Sequence, residues 1–260
     1  FSFSNRNFLT ASNILLLLQQ SVPLCLGVVG MAFVMMDGGI DISAGSNMYL
    51  SAATGALVIK AIYNAGGDTS SFFFYALILL VSALVGSLIG LVNGVLVSRF
   101  NMLPFIVTLI MTSIARGLGM FITNAKLIII NTMGFKLTDK TFLGISILIY
   151  FALIGVGVFH YVMRYTAFGC QLKAQGNNHE AAMKLGINVK GNQLKAYVIC
   201  GALGGLAGML SAGSNGSVPS SFASGNEFII IPAAVLGGIS LFGGKGSIFP
   251  GSIIGILLIY

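Results

Sequence analysis

The chain of 260 residues is 56% hydrophobic and 7% charged, with mean hydropathy +0.97; a soluble domain carries about 25% charged residues. Its net charge of +7 invites a nucleic-acid reading, but the cations are scattered and confined to loops, so membrane orientation accounts for them better. The apolar segments exceed the roughly 20 residues that cross hydrocarbon and lack the alternation of an outer-membrane barrel, which leaves an all-α, polytopic transmembrane helical bundle forming one domain over residues 1–260.

Residues 1–13 are polar and aromatic, with Arg6, and read as interfacial. Residues 14–36 form an uncharged first span, kinked at Pro23. The stretch D-G-G-I-D-I-S-A-G-S from Asp37 then sets two of the six acids and three glycines in apolar surroundings. Asp41 or Ser43 can cap the next helix, residues 47–63. Irregular backbone at membrane depth needs protein or a water-filled path around it. Two readings stay open: a broken-helix element along a substrate route, or a cytoplasmic turn with a cap.

Residues 64–71 form an outer turn. The return span, 72–97, carries Ala83, Gly86 (or Ser87), Gly90 and Gly94 at close-packing spacing. Residues 98–101 mark the inner face. Residues 104–123 go outward with Arg116 inside the span; an intramembrane arginine pairs or faces a cavity, and hydrogen bonding to helix ends is its plainer role. Residues 124–141, with Lys126, Lys136, Asp139 and Lys140, fall outside by alternation. Residues 142–163 run inward and end near His160, an interfacial group rather than a ligand.

The one long polar segment is residues 164–195. It holds five of the thirteen cations, Arg164, Lys173, Lys184, Lys190 and Lys195, and one acid, Glu180. Basic loops stay cytoplasmic, which orients the rest. Within it Asn177 is a candidate N-cap with Glu180 at the third helical position, the spacing of a capping box. Ala181, Ala182 and Leu185 share a face, and Gly186 is a left-handed C-cap before Ile187. Two turns of helix are marginal alone in water. Docking on a partner and an ordinary re-entry turn both explain it.

Residues 196–212 span outward with Gly201, Gly204, Gly205 and Gly208, residues 213–226 form an outer loop, and 227–239 a short helix with Pro232. Residues 237–247, G-G-I-S-L-F-G-G-K-G-S, echo the first Gly-rich turn on the same side, and 248–260 begin another span, making eight. The echo suggests a two-half transporter plan. Gly243-Gly-Lys-Gly-Ser247 imitates a phosphate-binding loop but has Gly246 where Ser or Thr is required. Cys25, Cys170 and Cys200 have no metal spacing. With two histidines and six acids the chain has little material for catalysis. Trp is absent, so interface anchoring falls to Tyr63, Tyr75, Tyr150 and Tyr161.

Six motifs in order carry a resemblance: N-F-L-T from Asn7, G-G-I-D-I-S-A-G-S from Gly38, N-G-V-L-V-S-R-F from Asn93, L-P-F-I-V-T-L from Leu103, G-N-N-H-E-A-A-M-K-L-G-I-N-V from Gly176, and G-G-I-S-L-F-G-G-K-G-S-I from Gly237. The chain resembles the membrane permeases of ribose-type ABC importers, which serve small solutes such as ribose, xylose, arabinose and galactose. The resemblance implies about ten helices, with a first and a final one outside this sequence. It implies a non-catalytic, multi-pass subunit of the cell membrane without a cofactor. Its implied partners are an ABC ATPase subunit, an extracytoplasmic solute-binding protein, a second permease chain and membrane lipid, with no nucleic acid. Asn177, Glu180, Ala181, Ala182, Leu185 and Gly186 match the family's coupling helix, which docks on the ATPase. Candidate pathway or gate residues are Asp41, Ser43, Asn93, Thr108 and Arg116. Ile239 stands where the family often has Thr, and Ala44 where Val is common. The alternative is an ion-gradient-driven secondary transporter, for which Asp41 and Arg116 are the candidate mid-membrane charges.

Overall fold

The structure is a computed structural model that describes residues 10–133, 135, 141–142 and 145–259. Arg6, Asn7, Lys136, Asp139 and Lys140 lie outside these residues. Among them are α1 (Ala11–Met36), α2 (Ala44–Asn64), α3 (Phe72–Ser98), α4 (Pro104–Thr123), α5 (Ile147–Tyr165), α6 (Ala167–Asn177), α7 (His179–Lys184), α8 (Val189–Asn215), α9 (Glu227–Leu236) and α10 (Gly251–Ile259). Two short antiparallel pairs join β1 (Ile128–Ile129) to β4 (Ser217–Val218) and β2 (Thr141–Phe142) to β3 (Ile145–Ser146).

Among the described residues five helices, α1, α3, α4, α5 and α8, are long and apolar enough to cross a membrane. α2 is 21 residues long but carries Ser46, Asn47, Ser51 and Thr54. It tolerates them because it is wrapped by α3, α4 and α8 and answers them internally: Asn47 Nδ2 donates to the Gly201 carbonyl at 3.0 Å, and Ser51 Oγ to Asn47 Oδ1 at 3.1 Å. α9, at 10 residues, is shorter than a full crossing, and α10 runs to the last described residue. The most buried spans are α1 (78%) and α8 (72%), against 28% for α4 and 22% for α5, so α1, α2 and α8 form the centre and α4 and α5 the periphery.

α3 and α8 lie closer together than any large side chain permits. Gly86 and Gly90 on α3 face Gly201 and Tyr197 on α8, and a Cβ at either glycine would collide with those residues' carbonyl oxygens. Without a hydrophobic drive between helices in lipid, such backbone approach supplies the attraction through dispersion.

The turns expected on one side meet at one end. Gly244 N donates to the Met36 carbonyl at 2.9 Å, His179 lies on Asp37, Phe249 N donates to His160 Nδ1 at 3.2 Å, and Ser98 and Arg99 share a cleft with Lys190. The opposite end gathers β1, β4, Thr69 with Met133, and Tyr75 with Phe135.

Residues 213–226 depart from a simple outer loop. After β4 the chain turns back into the bundle, where Asn226 Nδ2 reaches Met48 Sδ at 3.8 Å. The Ala223 carbonyl and Glu227 carboxyl occupy the space a side chain at Gly45 would fill. α2 and α9 therefore both begin at depth, at the same place. Gly201, bonded by Asn47, stands about 18 Å along α8 from Val189.

Gly90→Val is expected to lower the stability of the purified chain by about 3 kcal/mol, read as a fall in thermal unfolding temperature in detergent. Gly117→Ala, whose Cβ would meet open space, is expected to leave that temperature unchanged or slightly raised.

Candidate functional site

The first break follows α1. Gly38, at φ +93°, closes a Schellman motif: its N–H donates to the Met35 carbonyl at 2.9 Å and that of Gly39 to the Val34 carbonyl at 3.0 Å. Asp41 then organises the approach to α2. Ser43 N and Ser43 Oγ donate to its Oδ1 at 2.8 and 2.5 Å. Ser43 is the N-cap residue of α2 but makes no side-chain cap bond; its hydroxyl is turned to Asp41 instead. Asn93 Nδ2 donates to Ser43 Oγ at 3.0 Å, Ile42 N donates to Thr108 Oγ1 at 3.1 Å, and Thr108 Oγ1 donates to the Pro104 carbonyl at 2.9 Å. Asp41, Ser43, Asn93 and Thr108 are thus brought together, and all four are buried. They meet the requirement that irregular backbone at depth be covered by protein.

Arg116 does not join them. Its guanidinium donates to the Ser220 carbonyl at 3.2 Å and the Phe222 carbonyl at 3.3 Å, and lies 5.1 Å from the Tyr49 ring centroid. It anchors the returning segment through the carbonyls of a turn rather than those of a helix end. Asp41 and Arg116 hold different partners and form no pair. Between this segment, α1 and the end of α8 lies a cleft of about 510 Å³. Ser211, Ser214, Asn215, Ser221 and Asn226 line it with hydroxyls and amides, Pro23 and Phe222 with apolar surface, and no lining residue is charged.

The polar segment 164–195 is more helical than a loop: α5 runs to Tyr165, α6 and α7 follow, and α8 begins at Val189. The cap of α7 is one residue later than the spacing placed it. Asn177 is the last residue of α6, its Nδ2 donating to the Lys173 carbonyl at 3.0 Å. Asn178 is the N-cap, accepting from Ala181 N at 2.9 Å. Two asparagines in tandem satisfy one pattern, and the extended backbone of Asn178 decides it. Glu180 is therefore at the second helical position, still in the first turn, where the helix dipole favours an anion. Gly186, at φ +79°, closes a Schellman motif through Gly186 N to Met183 O and Ile187 N to Ala182 O, at 3.0 and 3.1 Å. Ala181, Ala182 and Leu185 do not share one buried face. Ala182 points inward at 2% exposure, whereas Ala181, Met183 and Leu185 are exposed, Leu185 at 79%.

Asp37, Gln175 and His179 tie this knob to the first break, a link that the sequence pattern does not disclose. Gln175 Nε2 donates to Asp37 Oδ1, and Asn192 Nδ2 donates to Gln175 Oε1 at 3.3 Å. His179 Nε2 stands 3.1 Å from the Asp37 carbonyl and 3.7 Å from its carboxylate. Burial pushes the Asp37 carboxyl up, against the Gln175 hydrogen bond, which favours the anion. A Cβ at Gly176 would strike the Met36 carbonyl, so α6 crosses the end of α1 in direct backbone contact. Asp37 was visible as an acid beside glycines; its partners lie more than 130 residues on, beyond any local pattern. Glu227, also buried, presses on the start of α2.

Asp41→Asn retains the acceptor oxygen and is expected to leave thermal stability nearly unchanged. Asp41→Ala leaves the Ser43 donors without their acceptor and is expected to cost about 1–3 kcal/mol, measured by the same unfolding assay.

The family model described as the permease component of branched-chain amino acid transport systems matches residues 13–260. The chain is 34% identical over 262 residues to the ribose import permease protein RbsC of Escherichia coli strain K12, covering 97% of this chain and 77% of that protein. It is 33% identical to the L-arabinose ABC transporter permease protein AraH of Azospirillum brasilense, covering 97% and 71%. To the D-allose transport system permease protein AlsC of Escherichia coli strain K12 it is 33% identical, covering 99% and 76%. No solved structure matches it. With its apolar crossing helices, its two breaks and this likeness along its whole length, the chain is a multi-pass cell-membrane protein that belongs to the permease family of ribose-type ABC importers.

Proposed function

We propose that this chain is the translocation subunit of an ATP-driven importer for a neutral monosaccharide, moved by an ATPase that docks on α7. One observation carries the reading: an exposed apolar knob is joined, through Asp37, to a buried helix break. Met183 and Leu185 present apolar surface to the outside while Ala182 seats the helix on the bundle. A two-turn helix gains most of its stability from such contacts. The end bearing α7 also bears most of the cations of segment 164–195, the mark of a cytoplasmic face.

A push on α7 passes to Asp37 through His179 and Gln175, and from Asp37 along four residues to Asp41 and the start of α2. Shear of this kind moves one packed element against another while each stays rigid. The chain itself supplies no ATP chemistry; it supplies a bistable bundle that the partner biases.

The solute class is supported from the opposite end. Three of the relatives are named for ribose, arabinose and allose. The cleft beside Asn226 offers hydroxyls and amides, both donors and acceptors, without charge. That lining suits a neutral polyol. A zwitterionic amino acid would leave its carboxylate and ammonium without counter-charges there.

The decisive experiment is uptake of labelled ribose, arabinose or allose into vesicles holding this permease, an ATPase subunit and a binding protein. ATP-dependent import that survives collapse of the ion gradient is expected; import that persists without the ATPase and stops with the gradient would instead establish secondary transport. In the same vesicles His179→Ala and Leu185→Asp are expected to lower solute-stimulated ATP hydrolysis about tenfold, the loss of one or two contacts. Membrane insertion would be retained, so full stimulation in both variants would refute docking at α7.

A further inference from the structure

At the α7 end a second cleft lies where α3 stops and α8 starts. It has a volume of about 330 Å³ and is lined by Ser98, Arg99, Asn188, Lys190, Gly191 and Leu194. Arg99, just past the end of α3, and Lys190, on α8, are exposed cations, and no lining residue is an acid. The first turn of the 27-residue α8 forms one wall, so the positive end of the helix dipole adds to the two charges.

One residue of the lining carries a polar group without a partner. Ser98 is 2% exposed, and its Oγ has no hydrogen-bond partner among the described residues. A buried hydroxyl left unpaired costs about 1–3 kcal/mol, a cost that a ligand oxygen removes. Asn188 Oδ1 already accepts from Gly191 N at 3.0 Å, which leaves its amide nitrogen as another donor. Hydroxyl, amide, guanidinium and ammonium are all donors, so the complementary ligand is rich in acceptors and negatively charged.

We propose that this cleft binds a phosphate group. It goes beyond the transport reading and does not depend on which solute is carried. The neighbouring segment indicates where the phosphate comes from. Phe100, Met102, Leu103 and Phe105 follow Arg99 directly and are exposed at 68%, 40%, 66% and 54%. They form an apolar shelf at the end of a span, the level at which acyl chains give way to headgroups. An anionic phospholipid would lay its phosphate in the cleft and its chains on the shelf. Each basic residue near an anionic membrane surface adds to such binding. Arg99 offers the phosphate a bidentate fork and Lys190 a point charge. Bound there, one lipid would link the end of α3 to the start of α8, the two helices whose glycine faces hold the bundle together.

The test is native mass spectrometry of the purified permease after exchange into phosphatidylglycerol or phosphatidylcholine, alongside thermal unfolding with each lipid and with inorganic phosphate. Retention of phosphatidylglycerol over phosphatidylcholine is expected. The double variant Arg99→Gln, Lys190→Gln is expected to reduce that retention about tenfold or more, in line with the loss of two charge-assisted contacts. Ser98→Ala, a change too small to disturb the helix, is expected to reduce it several-fold and to raise the unfolding temperature of the lipid-free chain. Stabilisation by inorganic phosphate with no preference between the lipids would support the same chemistry with a soluble source. Equal retention of both lipids by all variants, with no response to phosphate, would overturn the proposal. Size-exclusion profiles matched to the parent chain separate loss of binding from loss of fold.

Discussion

Hydrocarbon offers no hydrogen bond to a helix that stops halfway, so each interruption must be answered by protein. This chain starts two helices at depth and brings both starts, at Ala44 and Glu227, to one point. The answers come from elsewhere in the sequence. Asp41, Ser43, Asn93 and Thr108 hold the approach to α2, and Arg116 reaches across to the carbonyls of 220 and 222. Those side chains arrive at bonding distance only because α3, α8 and α2 are pressed together through small residues. Gly86 and Gly90 are conditions for the polar cluster as much as for the packing.

The same economy of space links surface to interior. α7 has six residues and would not persist alone. It is held by Ala182 beneath it, by two caps, and by His179 on the Asp37 backbone. Its apolar remainder faces outward. Asp37 is the common member of both assemblies: its carbonyl and carboxylate meet α6 and α7, and its residue begins the break. Movement at the surface therefore has a short covalent and hydrogen-bonded route to the centre.

Much of the bundle was legible because hydrocarbon enforces long apolar runs. The span at 104–123 is bounded by Pro104 at its first position and Asn124 in the left-handed region, and both ends are visible as residue types. Gly186 and Gly38 announce their Schellman motifs for the same reason, since only glycine takes that backbone cheaply. The start of α8 was missed by seven residues because its first two turns, with Lys190, Asn192 and Lys195, are polar and project beyond the apolar stretch. Asn177 and Asn178 are equally good caps by chemistry, and only backbone geometry chooses between them. The return of 219–226 into the bundle was hidden because serines and glycines look alike in an outer loop and a buried turn; the distinguishing contact is Arg116, more than 100 residues away.

The Gly-rich echo, finally, has a different register from the one its letters give. Aligning G-G-I with G-G-I pairs Gly38 with Gly237. The left-handed residues are Gly38 and Gly238, and their bonds run to Met35 and Val34 in one turn and to Val235 and Ala234 in the other. The equivalent positions are thus Asp37 with Gly237 and Gly39 with Ile239. Read this way, the acid that anchors α6 and α7 has for its counterpart a residue with no side chain at all. The two turns share a hinge shape, yet only one of them is fitted with a handle.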